Sequence, residues 1–497
     1  MQDPIDVIVV GKGNAALCSA LAARDQGARV VMLEAATEDE SGGNSRFAGG
    51  VMRFAYSTVD DLKQVTELTD KEIEETDFGT NTTDEYFDDM FRLTQFRTDP
   101  TLSEILVTRS LDIMAWLRGK GVRFVPNYGR QSGLVNGKRR FFGRLPIEVS
   151  GGGPGLVQFL GDAARRAGID IVYSTRVTSL ITDGVRVIGV KAVQDGRAIE
   201  FRAGSVILAC GGFEANPEMR ARYLGPGWDL AKVRGSRFNQ GDGLKMALDI
   251  GAAPYGNWSG CHATGWDRNA PEFGDVNVGD KYQKHSYIFG LLINAQGKRF
   301  VDEGLDFHSF TYAKYGGEVL KQQGQFAWQV FDSKVRHLLR NEYRIKFVTR
   351  VTANTLEELS EKLEGVDAAA FLKTAREFNS AVRSDVPFDH TVKDGRNTEG
   401  IEPPKSNWAQ ALDTPPYEAY QTTCGITFTF GGLRTEAESG QVLNVHLQPI
   451  PGLYCAGEMV GGIFYFNYAS GTGLVSGAIF GRIAGTAAGR AVRTVAV

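Results

Sequence analysis

Apolar residues fall along the chain in short runs separated by glycine clusters, and both ends of the chain share this pattern. The run Asp6–Val10 is one polar residue followed by Val, Ile, Val and Val, which predicts a strand buried on both faces. A turn, Gly11 to Ala16, leads into a helical stretch, Leu17 to Gln26, stopped by Gly27. Ala28–Leu33 predicts a second strand, ending at Glu34. Residues 169–173, 185–190 and 205–209 predict further strands, and Leu156–Ala167 a helix. From 258 to about 425 the pattern is more aromatic, more polar and less regular, with helical stretches near 355–365 and 367–383. After 426 the glycine-rich pattern returns. Pro451–Glu458 predicts a short strand ending in Ala-Gly-Glu, and Gly471-Thr472-Gly473 opens a small-residue helix, roughly 474–490.

The stretch from Asp6 to Glu34 carries a specific chemistry. Strand, glycine turn, helix, strand and terminal acid form the βαβ unit that binds a dinucleotide. Gly11 permits the tight turn, and Gly13 lets the backbone approach a pyrophosphate. Ala16, in place of a third glycine, still allows close helix–strand packing. The helix N-terminus offers N–H groups and a positive dipole end to phosphates. Glu34 can accept bonds from a ribose diol. A second glycine-rich loop, Ser41 to Gly50, follows closely and can wrap the far side of the same ligand.

Composition narrows the partners. Glycine is 60 of 497 residues, about 12 % against a usual ~7 %, as expected where backbone approaches a large cofactor. Net charge is −4 with no polybasic stretch, which argues against a nucleic-acid partner. Nothing approaches the length of a transmembrane span. The start, Met1-Gln2-Asp3-Pro4, lacks a secretory pattern, and five scattered Cys without a CxxC spacing argue against disulfides, a metal site or attached haem. A cytoplasmic location is the resulting expectation.

Across nearly the whole chain these motifs resemble the flavoprotein subunits of the fumarate reductase and succinate dehydrogenase superfamily, which includes 3-ketosteroid Δ1-dehydrogenases. The markers are GxGxxA, GGNSRFAGG, ILACGGF (207–213), GDGLKMALDIGA (241–252), GKRFVDE (297–303) and GLYCAGE (452–458). CHATGWDRNAPEFGD (261–275), QKHSYIFG (283–290), TYAKYG (311–316) and CGITFTFGGL (424–433) look most like FAD-dependent tricarballylate dehydrogenases. The resemblance implies an α/β fold: a Rossmann-like FAD-binding domain from 1–257 and 426–497, with an inserted α+β capping domain at 258–425.

It also implies a cofactor, FAD, and its contacts. Gly11, Gly13, Asn14 and Ala15 resemble the pyrophosphate loop, and Glu34 the adenosine-ribose ligand. Gly42, Gly43, Asn44 and Ser45, with Gly49 and Gly50, resemble the loop toward the flavin ring. Val177 resembles the residue that meets adenine; Ala209, Gly211 and Asp242 lie along the dinucleotide. Glu458 resembles the ribityl ligand, and Gly473 and Leu474 the helix start aimed at the flavin's N1/C2 edge. Residues 41–53 contain no His, so the flavin is expected to be non-covalent.

Flavin desaturation needs a group to take a proton and donors to stabilise charge on the acidifying carbonyl or carboxylate. His308 lies at or beside the family's proton-transferring Arg, and Tyr468 replaces the second substrate Arg. These two are the candidate catalytic pair, His308 as base and Tyr468 as donor. His262 matches the family's substrate-carboxylate His, His285 falls in the proton-relay stretch, and Thr427 or Phe428 replaces a further His. A basic loop at 126–144 offers Tyr128 and Arg130 as substitute substrate ligands. With two guanidiniums missing from their family positions, a small dianion such as fumarate is expected to lack clamps. The expected activity is interconversion of C–C single and double bonds next to a carbonyl or carboxylate, with desaturation favoured. Electrons would pass to a separate acceptor: a protein, quinone or oxygen. The alternatives are a ketosteroid-type Δ1-dehydrogenase, an enoate reductase of the fumarate reductase type, or a catalytically dead flavin-binding protein.

Overall fold

The computed structural model describes residues 4–495. The strand Ile5–Val10 lies at the centre of an eight-stranded sheet. It pairs in parallel with Val30–Leu33 on one side and with the end of Arg197–Leu208 on the other, Val7 opposite Ser205 and Val10 opposite Leu208. Asp170–Val172 extends the sheet beyond Val30–Leu33, and Pro449–Cys455 pairs in parallel with Arg197–Leu208. The first half of that long strand leaves the parallel sheet. It joins Val187–Gln194 and Thr175–Thr182 in an antiparallel meander. The expected strands at 185–190 and 205–209 overlap longer ones, Val187–Gln194 and Arg197–Leu208.

Helices cover this sheet, and two of them explain much of the glycine. Asn14–Asp25 packs along Thr472–Val495. Gly477, Gly481, Gly485 and Gly489 recur every fourth residue and so form one stripe. A Cβ at Gly481 would lie 2.6 Å from the Ala15 carbonyl oxygen, and one at Gly489 3.0 Å from that of Ala23. The missing side chains let the two backbones touch, which joins the first and last parts of the chain.

A second, six-stranded sheet is organised by Tyr417–Leu433, which pairs antiparallel with Pro254–Asp267, Ala327–Phe331 and Arg350–Ala353 and in parallel with Lys232–Val233. The divisions at 257/258 and 425/426 fall inside two of these strands, Pro254–Asp267 and Tyr417–Leu433. The helix His308–Leu320 lies against this sheet; a Cβ at Gly316 would stand 2.5 Å from the Ala263 carbonyl carbon. Among the described residues no helix is long and apolar enough to cross a membrane.

Candidate active site

One continuous cavity runs from the first glycine turn to the face between the two sheets. At one end the chain leaves Ile5–Val10 through Gly11, whose φ of +108° favours glycine. A Cβ there would lie 2.5 Å from the Ala209 carbonyl oxygen. The helix Asn14–Asp25 starts at the cavity wall with no side-chain cap and no acid in its first turn, so its dipole faces the cavity uncompensated. Asn14 ties this end to the other glycine loops. Its backbone N–H donates to Ser45 Oγ at 3.0 Å, and its side-chain amide donates to the Leu474 carbonyl at 2.7 Å. Glu34, buried at the end of its strand, accepts from the Ala36 N–H at 2.9 Å. Burial pushes its carboxyl above the usual range, against the nearby charge of Lys12.

Of the sequence-predicted cofactor residues, Gly11, Gly13, Asn14, Ala15, Glu34, Gly43, Asn44, Ser45, Gly49, Gly50, Val177, Ala209, Gly211, Asp242, Glu458, Gly473 and Leu474 line the cavity. Gly42 does not; it sits behind the loop, where a Cβ would meet Val157 at 2.9 Å. Asp242 is paired with Arg176 at 2.9 Å. Glu458 accepts from the Thr429 N–H at 2.7 Å and is raised by burial. Beside it Glu214, held by the amides of Asn44 and Asn239 at 2.6 and 2.5 Å, is also pushed well up by burial and by the neighbouring carboxyl. Glu214 carries no sequence signal beyond its place after Gly-Gly-Phe. A glycine-walled trough with an uncapped helix end, a buried acid at Glu34 and a second helix start at Gly473 fits FAD.

The other end of the cavity belongs to the second sheet. Between Pro254–Asp267 and Tyr417–Leu433 the register shifts on both sides of His262. Such bulges re-aim side chains, and here they turn the imidazole inward. His262 is 1 % exposed, lies against Tyr312, Tyr468 and Phe428, and leaves Nδ1 without a partner. His308 opens the helix His308–Leu320, and Tyr312 one turn later shares its face. His285 stands 6.2 Å from His308, ring to ring, with Nε2 and the Thr264 hydroxyl 2.5 Å apart. Burial, reinforced by nearby guanidiniums, holds all three imidazoles well below the ordinary range, so they are neutral. Tyr468, also buried, accepts from the Gly473 N–H at 3.0 Å.

Three guanidiniums line the cavity with these groups: Arg130, which the sequence suggests, and Arg234 and Arg340, which it does not. Arg234 follows the strand Lys232–Val233. It pairs with Asp280 at 2.6 Å and donates to the Thr427 hydroxyl at 3.2 Å. Burial works against its charge, yet Asp280 holds it above the usual range. A Cβ at Gly49 would run into the Arg130 guanidinium, with Asp280 Oδ2 3.3 Å from the same point. Arg340 donates to the Arg130 carbonyl at 3.1 Å and to His308 Nε2 at 2.5 Å. Arg234 and Arg340 thus reach this end of the cavity from segments outside the basic loop at 126–144. Tyr128 takes no part: it is not at the cavity, and its hydroxyl donates to Glu72 at 3.2 Å while Arg139 stacks on its ring.

The sequence model of the FAD binding domain matches residues 6–474. The chain belongs to that family. Fumarate reductase (cytochrome) of Shewanella frigidimarina is 30 % identical over 494 residues, covering 98 % of this chain and 78 % of that protein. The 3-oxosteroid 1-dehydrogenase of Mycolicibacterium smegmatis is 29 % identical over 360 residues, 67 % of this chain and 62 % of its own. Among solved structures, the open conformation of a flavocytochrome c3 fumarate reductase matches with a TM-score of 0.73 at 26 % identity, over 99 % of this chain and 79 % of that one. The 3-ketosteroid-Δ4-(5α)-dehydrogenase of Rhodococcus jostii RHA1 matches with a TM-score of 0.70 at 25 % identity, over 98 % of each. This FAD-binding chain is an oxidoreductase of the fumarate reductase and ketosteroid dehydrogenase type, acting on carbon–carbon bonds.

Proposed function

We propose that the protein desaturates a C–C bond next to a carboxylate in a small polycarboxylate of the tricarballylate kind. The observation that carries this reading is the meeting, at one end of the cavity, of Arg130, Arg234 and Arg340 with neutral imidazoles and Tyr468. Guanidiniums suit carboxylates through paired N–H donors. FAD, when bound, supplies the hydride acceptor. The chain's own residues do the rest. The guanidiniums hold carboxylates and, with the Tyr468 O–H, stabilise charge on the group that acidifies the α-proton. A neutral imidazole can take that proton, because burial leaves its lone pair unprotonated at neutral pH.

In this reading residues 1–257 and 426–497 form the FAD-binding domain and 258–425 the cap. The flavin is non-covalent, since no His stands in 41–53. Electrons leave to a separate acceptor. A second reading, reduction of a C=C bond of the fumarate type, is favoured by the same guanidiniums and by the 30 % identity to a fumarate reductase. Anaerobic mixing separates the two. Tricarballylate should bleach the oxidised flavin faster than fumarate reoxidises the reduced flavin. Rapid reoxidation by fumarate, with no bleaching by tricarballylate, would replace the first reading with the second. Bleaching by a 3-ketosteroid alone would reject both.

A further inference from the structure

Of the guanidiniums at this end of the cavity, Arg340 is the one without a direct ion pair among the described residues. Arg130 has Glu342 at 3.9 Å, and Arg234 has Asp280 at 2.6 Å. Among the described residues no carboxylate lies within ion-pairing distance of the Arg340 guanidinium. Its hydrogen-bond partners are the Arg130 carbonyl oxygen and the His308 ring, both neutral acceptors. Its position is fixed from the backbone as well: Arg340 sits between the short 3-10 turns Ser333–Leu338 and Asn341–Arg344, and its N–H donates to Ser286 Oγ at 3.2 Å. Glu342 and Glu148 act on this cation from beyond ion-pairing distance, yet burial still lowers its pKa, so a ligand carboxylate at hydrogen-bond distance would supply a direct partner that no side chain provides.

The contact with His308 also fixes what that imidazole can do. A guanidinium can only donate. His308 Nε2, 2.5 Å from Arg340 Nη2, must therefore be the unprotonated nitrogen, and the ring proton is on Nδ1. The Gln131 side-chain nitrogen, 3.1 Å from the same Nε2, is a second donor to it. The lone pair a base would use is engaged twice, and the other nitrogen has only a proton to give. His262 contrasts with this, since its buried Nδ1 has no partner.

Resting on the substrate class proposed above, we infer that Arg340 is the specificity-determining residue that takes a substrate carboxylate, and that His308 is a positioning residue which holds Arg340 in place rather than the base. Arg340 stands 32 positions from its partner His308 and 210 from its partner Arg130.

The test uses the FAD-loaded enzyme and tricarballylate. Calorimetry reads binding, and the substrate dependence of single-turnover flavin reduction separates binding from the limiting rate. Arg340→Gln should weaken binding roughly 10- to 100-fold, the loss expected for a charge-assisted pair, with FAD retained. Arg340→Lys, which keeps the charge and loses the fork, should fall between Arg340→Gln and wild type, and it serves if the Gln variant does not fold. His308→Gln can still accept from Arg340 through its amide oxygen. It should recover part of the binding that His308→Ala loses, and its limiting rate should exceed that of His308→Ala. The double variant Arg340→Gln/His308→Ala should bind no more weakly than Arg340→Gln alone, because His308 acts through Arg340. Unchanged binding in Arg340→Gln overturns the assignment of Arg340. A His308→Gln variant that binds normally but reduces flavin as slowly as His308→Ala makes His308 the base and overturns its positioning role. Tight binding without flavin reduction in the wild type rejects the proposed reaction while leaving the binding comparison to decide Arg340. No binding by the wild type rejects the substrate class and this assignment with it.

Discussion

The Gly473 N–H donates to the Tyr468 hydroxyl oxygen at 3.0 Å. That oxygen therefore sits on the first turn of Thr472–Val495, and its own proton remains to be given elsewhere. Accepting a bond from a helix start makes a hydroxyl a stronger donor, because each bond in a chain polarises the next. Burial holds the phenol above its usual range, so it stays protonated at neutral pH. Its ring is fixed by Phe428 at 5.3 Å and Phe464 at 5.2 Å.

Tyr468→Phe keeps this ring packing and removes the donor. Loss of a donor aimed at developing charge costs on the order of 2–4 kcal/mol in the transition state. Flavin reduction should slow by that factor while FAD content stays at the wild-type level. Near wild-type reduction would show that the hydroxyl faces no reacting group.

Glu34→Arg tests the other end of the cavity. The acid lines the cavity at the end of its strand and lies near Lys12, so a cation there removes an acceptor and adds a like charge. Buried ribose hydroxyls left unpaired cost about 1–3 kcal/mol. FAD occupancy after purification should fall, with the circular dichroism of the apoprotein unchanged. Full occupancy would place the ribose elsewhere.

Gly481→Ala should be destabilising, which reverses the usual effect of removing a helical glycine. In an open helix the change gains up to about 1 kcal/mol. Here the new methyl would stand 2.6 Å from the Ala15 carbonyl oxygen, on the first turn of the helix that begins the FAD cavity. Overpacking of this kind typically costs about 1–3 kcal/mol. The melting temperature should drop and FAD should dissociate more readily. A raised melting temperature would mean that the two helices can separate without penalty.

Local motifs made the FAD end of the molecule legible. The strand, turn, helix and acid from Asp6 to Glu34 are contiguous, and each residue's expected role follows from its neighbours in sequence. The substrate end was only half legible. His262, His285, His308 and Tyr468 stood out through motif positions, but Arg234 and Arg340 lie in stretches with no periodicity or glycine pattern. Arg234 reaches the site because its N–H bonds the Ile426 carbonyl at 2.8 Å, a pairing between strands far apart in the chain. Tyr128 and Arg130 are two residues apart on the turn Tyr128–Gln131, yet only Arg130 lines the cavity. Residue type cannot report which way a short irregular segment faces.

The three buried imidazoles predict a specific pH dependence of stability. Burial depresses His262, His285 and His308 below their ordinary value of 6.5. As pH falls through that value, the unfolded chain takes up protons that the folded protein refuses, so stability is lost. Each such group contributes up to about 1.4 kcal/mol per pH unit in this window. The raised carboxyls of Glu34, Glu214 and Glu458 have the opposite sign: the folded protein binds their protons first, and their contribution is lost as pH rises. The net slope of the wild type therefore mixes the two. A comparison with His262→Gln isolates one imidazole, since the carboxyls are common to both proteins. Between about pH 7.5 and about pH 5.5, urea unfolding of the variant should lose roughly 1–2 kcal/mol less stability than the wild type. The two proteins should differ in absolute stability at about pH 7.5 only through lost packing. Equal losses in both would mean that His262 is protonated in the folded state, and that its unpartnered Nδ1 is not an available base.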